Sequence, residues 1–416
     1  MIQQLRSGSL DTILSSESID TSSLPASEIT PSVKRVAILT EAFLPKVDGV
    51  SRTALLTIKY LESTGRDVIV FAPAPAPAQI SQTPIYAIPS LWLPFYTETR
   101  VALPWPFLLP RLRAFDPDVI HLFSPFSLGA MGMIAADILQ KPVIANYQTD
   151  LPAYVQTYGY TFLRPSFINL LRYIHNGCHL TLAPSQATLC ELHKWGFRRL
   201  RLWERGVDTK RFTPDRHSTV WRERLLAGRD PARLLVLYVG RIAKEKHLET
   251  LCKIAHDPTV ALTLVGGGNY LPEIQQALTG SDAYFAGYLI GDDLANAFAA
   301  ADIFVFPGPE ETFGQVVLEA MASGLPVIVA DRGGPATIVQ DGRTGFICPT
   351  DNAAAFAERV RLLNANSMLR SRMAQEARRD ATRRPWLSIM RQLETYYAEA
   401  LASHSRVMRW RYTSVR

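Results

Sequence analysis

The sequence predicts two α/β domains in tandem, each a parallel sheet wound with helices on both faces (Rossmann-like), with the two sheets facing a central cleft. Three observations lead there. From Val33 onward, short apolar runs alternate with segments of helical period, the pattern of parallel sheets with helical crossovers. The alternation stops near Thr213–Pro214 and then starts again with a strand. The length of 416 residues suits two domains of roughly 100–200 residues each.

Residues 1–32 are rich in Ser and Thr and have no sustained period, so a disordered extension is expected. The first domain is expected over 33–213. VKRVAILT, from Val33, reads as a buried parallel strand. Asp67–Ala72 is the next strand, followed by PAPAPA; Asp118–Phe123, Pro142–Tyr147 and His179–Ala183 are three more. Helices are expected near 49–64, 127–139, 164–176 and 185–194. The second domain is expected over 214–384, with strands at Leu234–Val239, Ala261–Val265, Ala283–Phe285, Ile303–Phe306 and Val327–Ala330. Its helices lie near 270–279, 292–300 and 315–323. The stretch 351–404 reads as helix with one interruption at Pro385, and 385–416 forms a final helix with a basic tail. Ligands of such sheets bind beyond the carboxyl ends of the strands.

Composition narrows the class. Hydrophobic residues make up 47% and charged residues 20%, as in a soluble globular protein. The net charge of +6 suits phosphate-bearing ligands or an anionic membrane surface and points to no nucleic-acid partner. The four cysteines form no C-x-x-C pair and no zinc-ligand spacing, so free buried thiols in a reducing compartment are expected. No apolar run approaches the ~18 residues of a membrane span, and the amino terminus lacks the apolar core of a secretory signal. The expected location is the cytoplasm, free or peripheral on the inner face of the membrane.

Three motifs can carry chemistry. In FLPKVDGV, Gly49 stands at a strand–helix turn, where a missing side chain and free helix N–H groups suit an anion; the plainer alternative is a turn glycine. In GRIAKEK, Arg241 and Lys246 follow the strand ending at Val239, where a diphosphate would lie. Arg241 can fork onto phosphate oxygens and Lys246 adds a point charge; the alternative is a solvated basic turn. The third runs from Glu310 to Pro326. Glu311 falls in a loop, and Glu319 in a helix whose neighbours Val316, Val317 and Leu318 are apolar. A buried carboxylate needs a partner, either a protein cation or two ligand hydroxyls such as a ribose diol. Gly314 at the helix start lets an anion approach.

These motifs together resemble the retaining nucleotide-sugar glycosyltransferases of family 4, which have the two-domain GT-B fold. The resemblance rests on Glu311 and Glu319 in ETFG…LEAMASGLPV, Arg241 and Lys246 in GRIAKEK, Gly49, RLWERGVDTKRF at 201–212 and Gly287-Tyr288-Leu289. It runs in order from about Val36 to the C-terminal helices. It implies a hexosyltransferase that needs no metal and no cofactor. By the same resemblance Arg241 and Lys246 bind the donor diphosphate and Glu319 the ribose. Glu311, with the backbone of Phe313 and Gly314, holds sugar hydroxyls. Gly49 lies near the phosphates, while the loop at Gly266 and the segment Gly287–Leu289 frame the base. The helix near Trp386–Leu401 crosses back onto the first domain.

The acceptor side departs from the pattern. In IANYQTDLP, many relatives carry His where this chain has Gln148, which hydrogen-bonds but takes no proton. Asp150 is a candidate acceptor-site carboxylate, or a cap of the next turn. The D-x-D of Asp116 and Asp118 spells a metal signature of another fold but reads here as a turn before a strand. His121 reads as a packed core residue.

PSLWLPFYTETRVALP, QTD and GGPATIV resemble GDP-mannose-dependent α-mannosyltransferases, whereas RLWERGVD is shared with sulfoquinovosyl and glucosyl relatives that use UDP donors. The expected reaction moves a hexose to a hydroxyl of a glycan or lipid-linked acceptor. An inactive partner subunit is the binding-class alternative. A dinucleotide oxidoreductase would need G-x-G-x-x-G after the first strand, which is absent. Two features suit an anionic membrane: Leu91–Arg113, an aromatic, Pro-rich loop edged with Arg, and the basic stretch Lys194–Arg211, with seven cations against Glu204 and Asp208; the alternative is an ordinary solvated basic face plus a core loop.

Overall fold

The structure is a computed structural model and describes residues 33–45, 48–93 and 96–413, with the backbone alone for Leu93, 96–99 and 406–413. The expected extension over 1–32 and the side chains of the basic tail lie outside this range. The chain divides into two compact units. Unit 1 runs to Glu204 and resumes at Leu387; unit 2 is Arg205–Trp386.

Unit 1 contains β1 (Arg35–Thr40), α1 (Gly49–Ser63), β2 (Asp67–Pro73), β3 (Gln79–Ile80), β4 (Thr83–Ile88), β5 (Ser90–Leu93), β6 (Tyr96–Ala102) and α2 (Leu108–Phe115). It continues with β7 (Val119–Phe123), α3 (Ser127–Leu139), β8 (Val143–Asn146), α4 (Leu151–Thr157), α5 (Arg164–Gly177), β9 (Leu180–Ala183), α6 (Gln186–Lys194) and β10 (Leu200–Leu202). Its main sheet has the order β10-β9-β8-β7-β1-β2-β4-β3, parallel except where β3 meets β4. Every residue of β7, β8 and β9 is buried, as expected for parallel strands covered on both faces.

Unit 2 contains α7 (Thr219–Leu226), β11 (Leu234–Val239), α8 (Cys252–Ala255), β12 (Val260–Val265), α9 (Leu271–Ala277), β13 (Tyr284–Gly287), α10 (Gly291–Ala300) and β14 (Ile303–Phe306). Then come α11 (Gln315–Ala322), β15 (Val327–Ala330), α12 (Pro335–Ile338), β16 (Gly345–Cys348), α13 (Ala353–Ala365) and α14 (Ser367–Ala381). Its sheet is wholly parallel, β13-β12-β11-β14-β15-β16. Both units are Rossmann-like. All six residues of β11 are buried, and its register against β12 is unbroken from Leu234 to Val239.

The last helix, α15 (Trp386–Thr413), packs into unit 1 from Leu387 onward. Trp203 Nε1 donates to the Ile389 carbonyl at 2.9 Å, and Tyr60 donates to Glu394 at 2.9 Å. Arg66, nearly buried, pairs with Glu394 at 2.7 Å. His121 is fully buried, its Nδ1 2.8 Å from the Tyr397 hydroxyl. It is the packed histidine expected from the sequence.

Three expectations need correction. The described residues of 91–113 are not a loop but the antiparallel strands β5 and β6, then α2. Trp105, half-buried, packs on the core against Phe71. The helical region 351–404 has a second break at Asn366, whose side chain accepts from Leu369 N and restarts the helix as α14. The cysteines are free, but Cys190 is exposed.

Candidate active site

In unit 2, β11 delivers Gly240 and Arg241 beyond its carboxyl end. The buried Tyr238 hydroxyl donates to the Arg241 carbonyl at 2.8 Å and fixes the turn. The Arg241 guanidinium bonds Glu245, whose side chain is fully buried four residues on. One helical turn, Lys244–Lys246, then aims Lys246 inward. Its ammonium donates to Glu311 Oε2 at 2.7 Å and lies 5.7 Å from the centre of the Phe306 ring. Gly308 leaves room for this chain: a Cβ there would sit 3.3 Å from Lys246 Cδ. The first-strand cations and the Glu311 loop, 65 residues apart, therefore meet at one place.

The Glu311 loop is held from behind by Gly333 and Gly334. Gly334 N donates to the Glu311 carbonyl at 2.6 Å. A Cβ on Gly334 would fall 2.4 Å from Phe313 Cα, and one on Gly333 2.4 Å from the Pro309 carbonyl. Phe313 is buried, and Gly314 opens α11 with φ +92°, a left-handed geometry that disfavours side chains. Glu319 lies on α11 with 1% exposure. Gln315 Nε2 donates to Glu319 Oε1 at 3.4 Å and to the Gly206 carbonyl at 3.0 Å, tying the segment after Arg205 to this helix.

The third strand end completes the rim. Gly266 has φ +131° and a Cβ there would meet the Gly240 carbonyl at 1.9 Å; its N–H donates to Gly287 O at 2.8 Å. So Gly266 and Gly287 are brought beside the turn that carries Arg241. Leu289 packs on the core while Tyr288 is 69% exposed.

The unit 1 candidates lie at the carboxyl ends of its own strands. Gly49 is the first residue of α1. The Asp48 carboxylate accepts from Val50 N at 3.0 Å and Ser51 N at 2.9 Å, so those N–H groups are already satisfied by a protein anion. A Cβ on Gly49 would meet nothing within 4 Å. Gln148 is buried and lines a small pocket with Ser124, Pro125, Tyr147, Thr149 and His175. Burial holds the His175 imidazole neutral, its pKa pushed down to about 3. Asp150 caps α4, accepting from Ala153 N at 3.0 Å and from the Tyr147 hydroxyl at 3.2 Å. The capping alternative is what this geometry favours. Burial raises the Asp150 carboxyl above its ordinary range and, with Asp150 nearby, pushes Glu191 up to about 7.

The D-x-D carboxylates have structural partners. Asp118 accepts from Lys34 N and Arg35 N at 2.7 and 2.8 Å, and Asp116 pairs with Lys141 and Arg35. Among the described residues no three His, Cys, Asp or Glu side chains group to hold a metal ion.

Sequence reasoning missed Glu245, Gln315, the Gly333–Gly334 support and Glu41. Glu245 had a readable signal, its position four residues after Arg241. Glu41 had none. It follows β1, and its Oε1 accepts from Phe126 N at 2.8 Å and Gly129 N at 2.9 Å, while Oε2 is enclosed and without a hydrogen bond. Burial pushes its pKa up to about 7.

Comparison with known proteins agrees with both units. The family described as Glycosyltransferase Family 4 matches residues 47–211, and Glycosyl transferases group 1 matches 222–380. The chain is 38% identical over 370 residues to a GDP-mannose-dependent alpha-mannosyltransferase of Mycobacterium tuberculosis, covering 87% of this chain and 96% of that protein. It is 32% identical over 363 residues to a sulfoquinovosyl transferase of Arabidopsis thaliana, covering 85% and 71%. In fold it is similar to a solved sucrose-phosphate synthase of Thermosynechococcus elongatus, with a TM-score of 0.72 at 20% identity over 89% of this chain and 100% of that one. With the sheets, the basic turn and the paired glutamates accounted for, the chain belongs to the GT-B glycosyltransferases of family 4 and is a hexosyltransferase.

Proposed function

We propose that the protein transfers mannose from GDP-mannose to a hydroxyl of a glycan or lipid-linked acceptor, with retention of configuration and without a metal ion. The observation that carries the donor choice is the likeness, over nearly the whole chain, to the mycobacterial GDP-mannose-dependent enzyme.

The geometry of unit 2 supports the chemistry. Arg241 and Lys246 bind the diphosphate and stabilise the charge that grows on it as the bond to the anomeric carbon breaks. Their present partners, Glu245 and Glu311, hold them in place, and the donor's diphosphate takes over the Lys246 ammonium. Glu311 then turns to sugar hydroxyls together with the backbone of Phe313 and Gly314. Glu319 accepts from the ribose diol, and the Gly266 and Gly287–Leu289 rim borders the base. The acceptor oxygen attacks the anomeric carbon on the face the nucleotide leaves, and its proton departs with the diphosphate. Gln148 serves as a hydrogen-bonding contact, since its amide exchanges no proton.

The test is thermal stabilisation by GDP, UDP and ADP at equal concentration, with and without magnesium, followed by transfer from the matching sugar nucleotide. A ligand of the folded state at 100 times its Kd adds about 2.7 kcal/mol. GDP alone should shift the melting, equally without magnesium. A shift with UDP alone would favour the second reading, a UDP-sugar glycolipid synthase, which the likeness to the plant sulfoquinovosyl transferase supports. No shift with any nucleotide would favour an inactive partner subunit.

A further inference from the structure

Gln315, the first residue of α11, uses only one end of its side-chain amide within the protein. Nε2 donates to the Gly206 carbonyl at 3.0 Å and to Glu319 Oε1 at 3.4 Å. Both partners are acceptors, so only the nitrogen end of the amide can face them. Oε1 therefore points the other way. It is enclosed, and no donor among the described residues reaches it. A buried carbonyl without a donor costs about what a hydrogen bond is worth, so such an atom marks a place that a bound group can fill.

The amide is also held in place. A Cβ on Gly206 would lie 2.5 Å from Trp386 Cα and 2.6 Å from Trp386 N, so that backbone stands against the start of α15. Val207, buried, donates from its N to the Arg384 carbonyl at 2.9 Å. Glu319, the other partner, is 1% exposed. With Nε2 gripped between these two acceptors, Oε1 is presented in one direction before any ligand arrives.

The missing partner must be a donor within one helical turn of Glu319, since residues four apart are neighbours on a helix face. The rim at Gly266 and Gly287–Leu289 follows β12 and β13, on the other side of β11 from β14, the strand that precedes α11. A nucleoside with its base at that rim turns sugar rather than base toward α11. Its vicinal hydroxyls are two adjacent donors, suited to one carboxylate oxygen and one amide oxygen side by side.

We propose that Gln315 is a second ribose contact: Oε1 accepts from one hydroxyl of the diol and Glu319 from the other, while Nε2 stays on Glu319 and Gly206. The inference rests on the reading of Glu319 as the ribose carboxylate. It does not depend on the base, because GDP and UDP carry the same ribose.

The experiment is calorimetric titration of the full chain with GDP and UDP and with the 2′-deoxy and 3′-deoxy forms of each. Wild type should bind the ribose form of its diphosphate more tightly than either deoxy form. Gln315→Met, similar in length but without the amide, should lower the preference for one hydroxyl about fivefold, and Glu319→Gln should lower the preference for the other. In transfer from the matching sugar nucleotide, Gln315→Met should raise the donor KM with kcat nearly unchanged. A purely structural role would lower the melting temperature of the free protein and leave the ribose-to-deoxyribose ratios as they are. Wild-type ratios in Gln315→Met would overturn the inference and leave Glu319 on the ribose. Loss at the same hydroxyl in both variants would overturn it too, reducing Gln315 to a prop for Glu319. Wild type that binds ribose and deoxyribose forms alike, or neither diphosphate, would overturn the ribose reading of Glu319 along with it.

Discussion

Lys246 is the residue on which the two halves of the unit 2 site depend, because its ammonium joins the basic turn to the Glu311 loop. Hydrogen bonds to charged groups contribute about 1.5–3 kcal/mol, so Lys246→Ala should lower kcat/KM for the donor by about 10- to 100-fold. Arg241→Ala should do the same, and Arg241→Lys should rescue little because the fork is lost. Steady-state kinetics with varied donor measure both; near-wild-type values would remove these cations from the diphosphate. Glu41 makes a prediction about pH. Its folded pKa of about 7 lies above the ordinary 4.5, so its favourable contribution is complete below pH 4.5 and is lost as the pH rises through 7. Glu41→Gln cannot ionise. The melting temperature of this variant relative to wild type should therefore rise between pH 5 and pH 8, by the equivalent of at most about 3 kcal/mol. Parallel curves for the two proteins would show that the carboxyl does not titrate there.

At the scale of elements, turns set the site more than helices do. The loop at Glu311 keeps its shape because Gly334 lies against Phe313, with no room for a Cβ. Gly334→Ala should push Phe313 and Glu311 out of place, abolishing the nucleotide-induced melting shift while costing only about 1–3 kcal/mol of stability, as overpacking does. A normal shift in this variant would show that the loop tolerates displacement. Gly266→Ala faces the Gly240 carbonyl at 1.9 Å and should behave in the same way. Of these glycines, Gly314 and Gly266 were legible as site elements. Gly333 and Gly334 read only as part of a donor-type signature, since their role is defined by backbone from another part of the chain. At Gly49 the partners of the neighbouring N–H groups were not legible for a similar reason. Asp48 meets the N–H groups of α1 that an anion was expected to meet, and a capping side chain one residue away is a matter of rotamer rather than of motif.

At the scale of the molecule, α15 belongs to a unit whose other residues end at Glu204. Removing the chain after Pro385 would strip unit 1 of Tyr397 against His121 and of Glu394 against the nearly buried Arg66. Glu394 is partly exposed, so leaving the nearly buried Arg66 without it costs on the order of 1–3 kcal/mol. The truncated protein should melt with unit 1 destabilised and unit 2 retaining its nucleotide response. Loss of both together would mean that the units do not fold separately.

The sequence by itself determined five strands in each unit but not β3–β6, β10 or β16, because a parallel strand buried on both faces must be an unbroken apolar run and those short edge or antiparallel strands are not. LLVLYV, IFVF and VIVA could be read to the residue for this reason. It also determined the family, since Arg241, Lys246, Glu311 and Glu319 carry their chemistry in type and spacing. Tertiary structure decided how those charges are partnered. Lys246 meets Glu311 and Asp150 caps a helix because distant segments converge, and no local pattern encodes that convergence. It also decided that the described residues of 91–113 form two antiparallel strands and a helix, where Pro and aromatic residues suggested a loop. The weak local preference of that stretch was overruled by tertiary packing, with Ala102, Leu108 and Leu112 buried in the core and Trp105 packed on it.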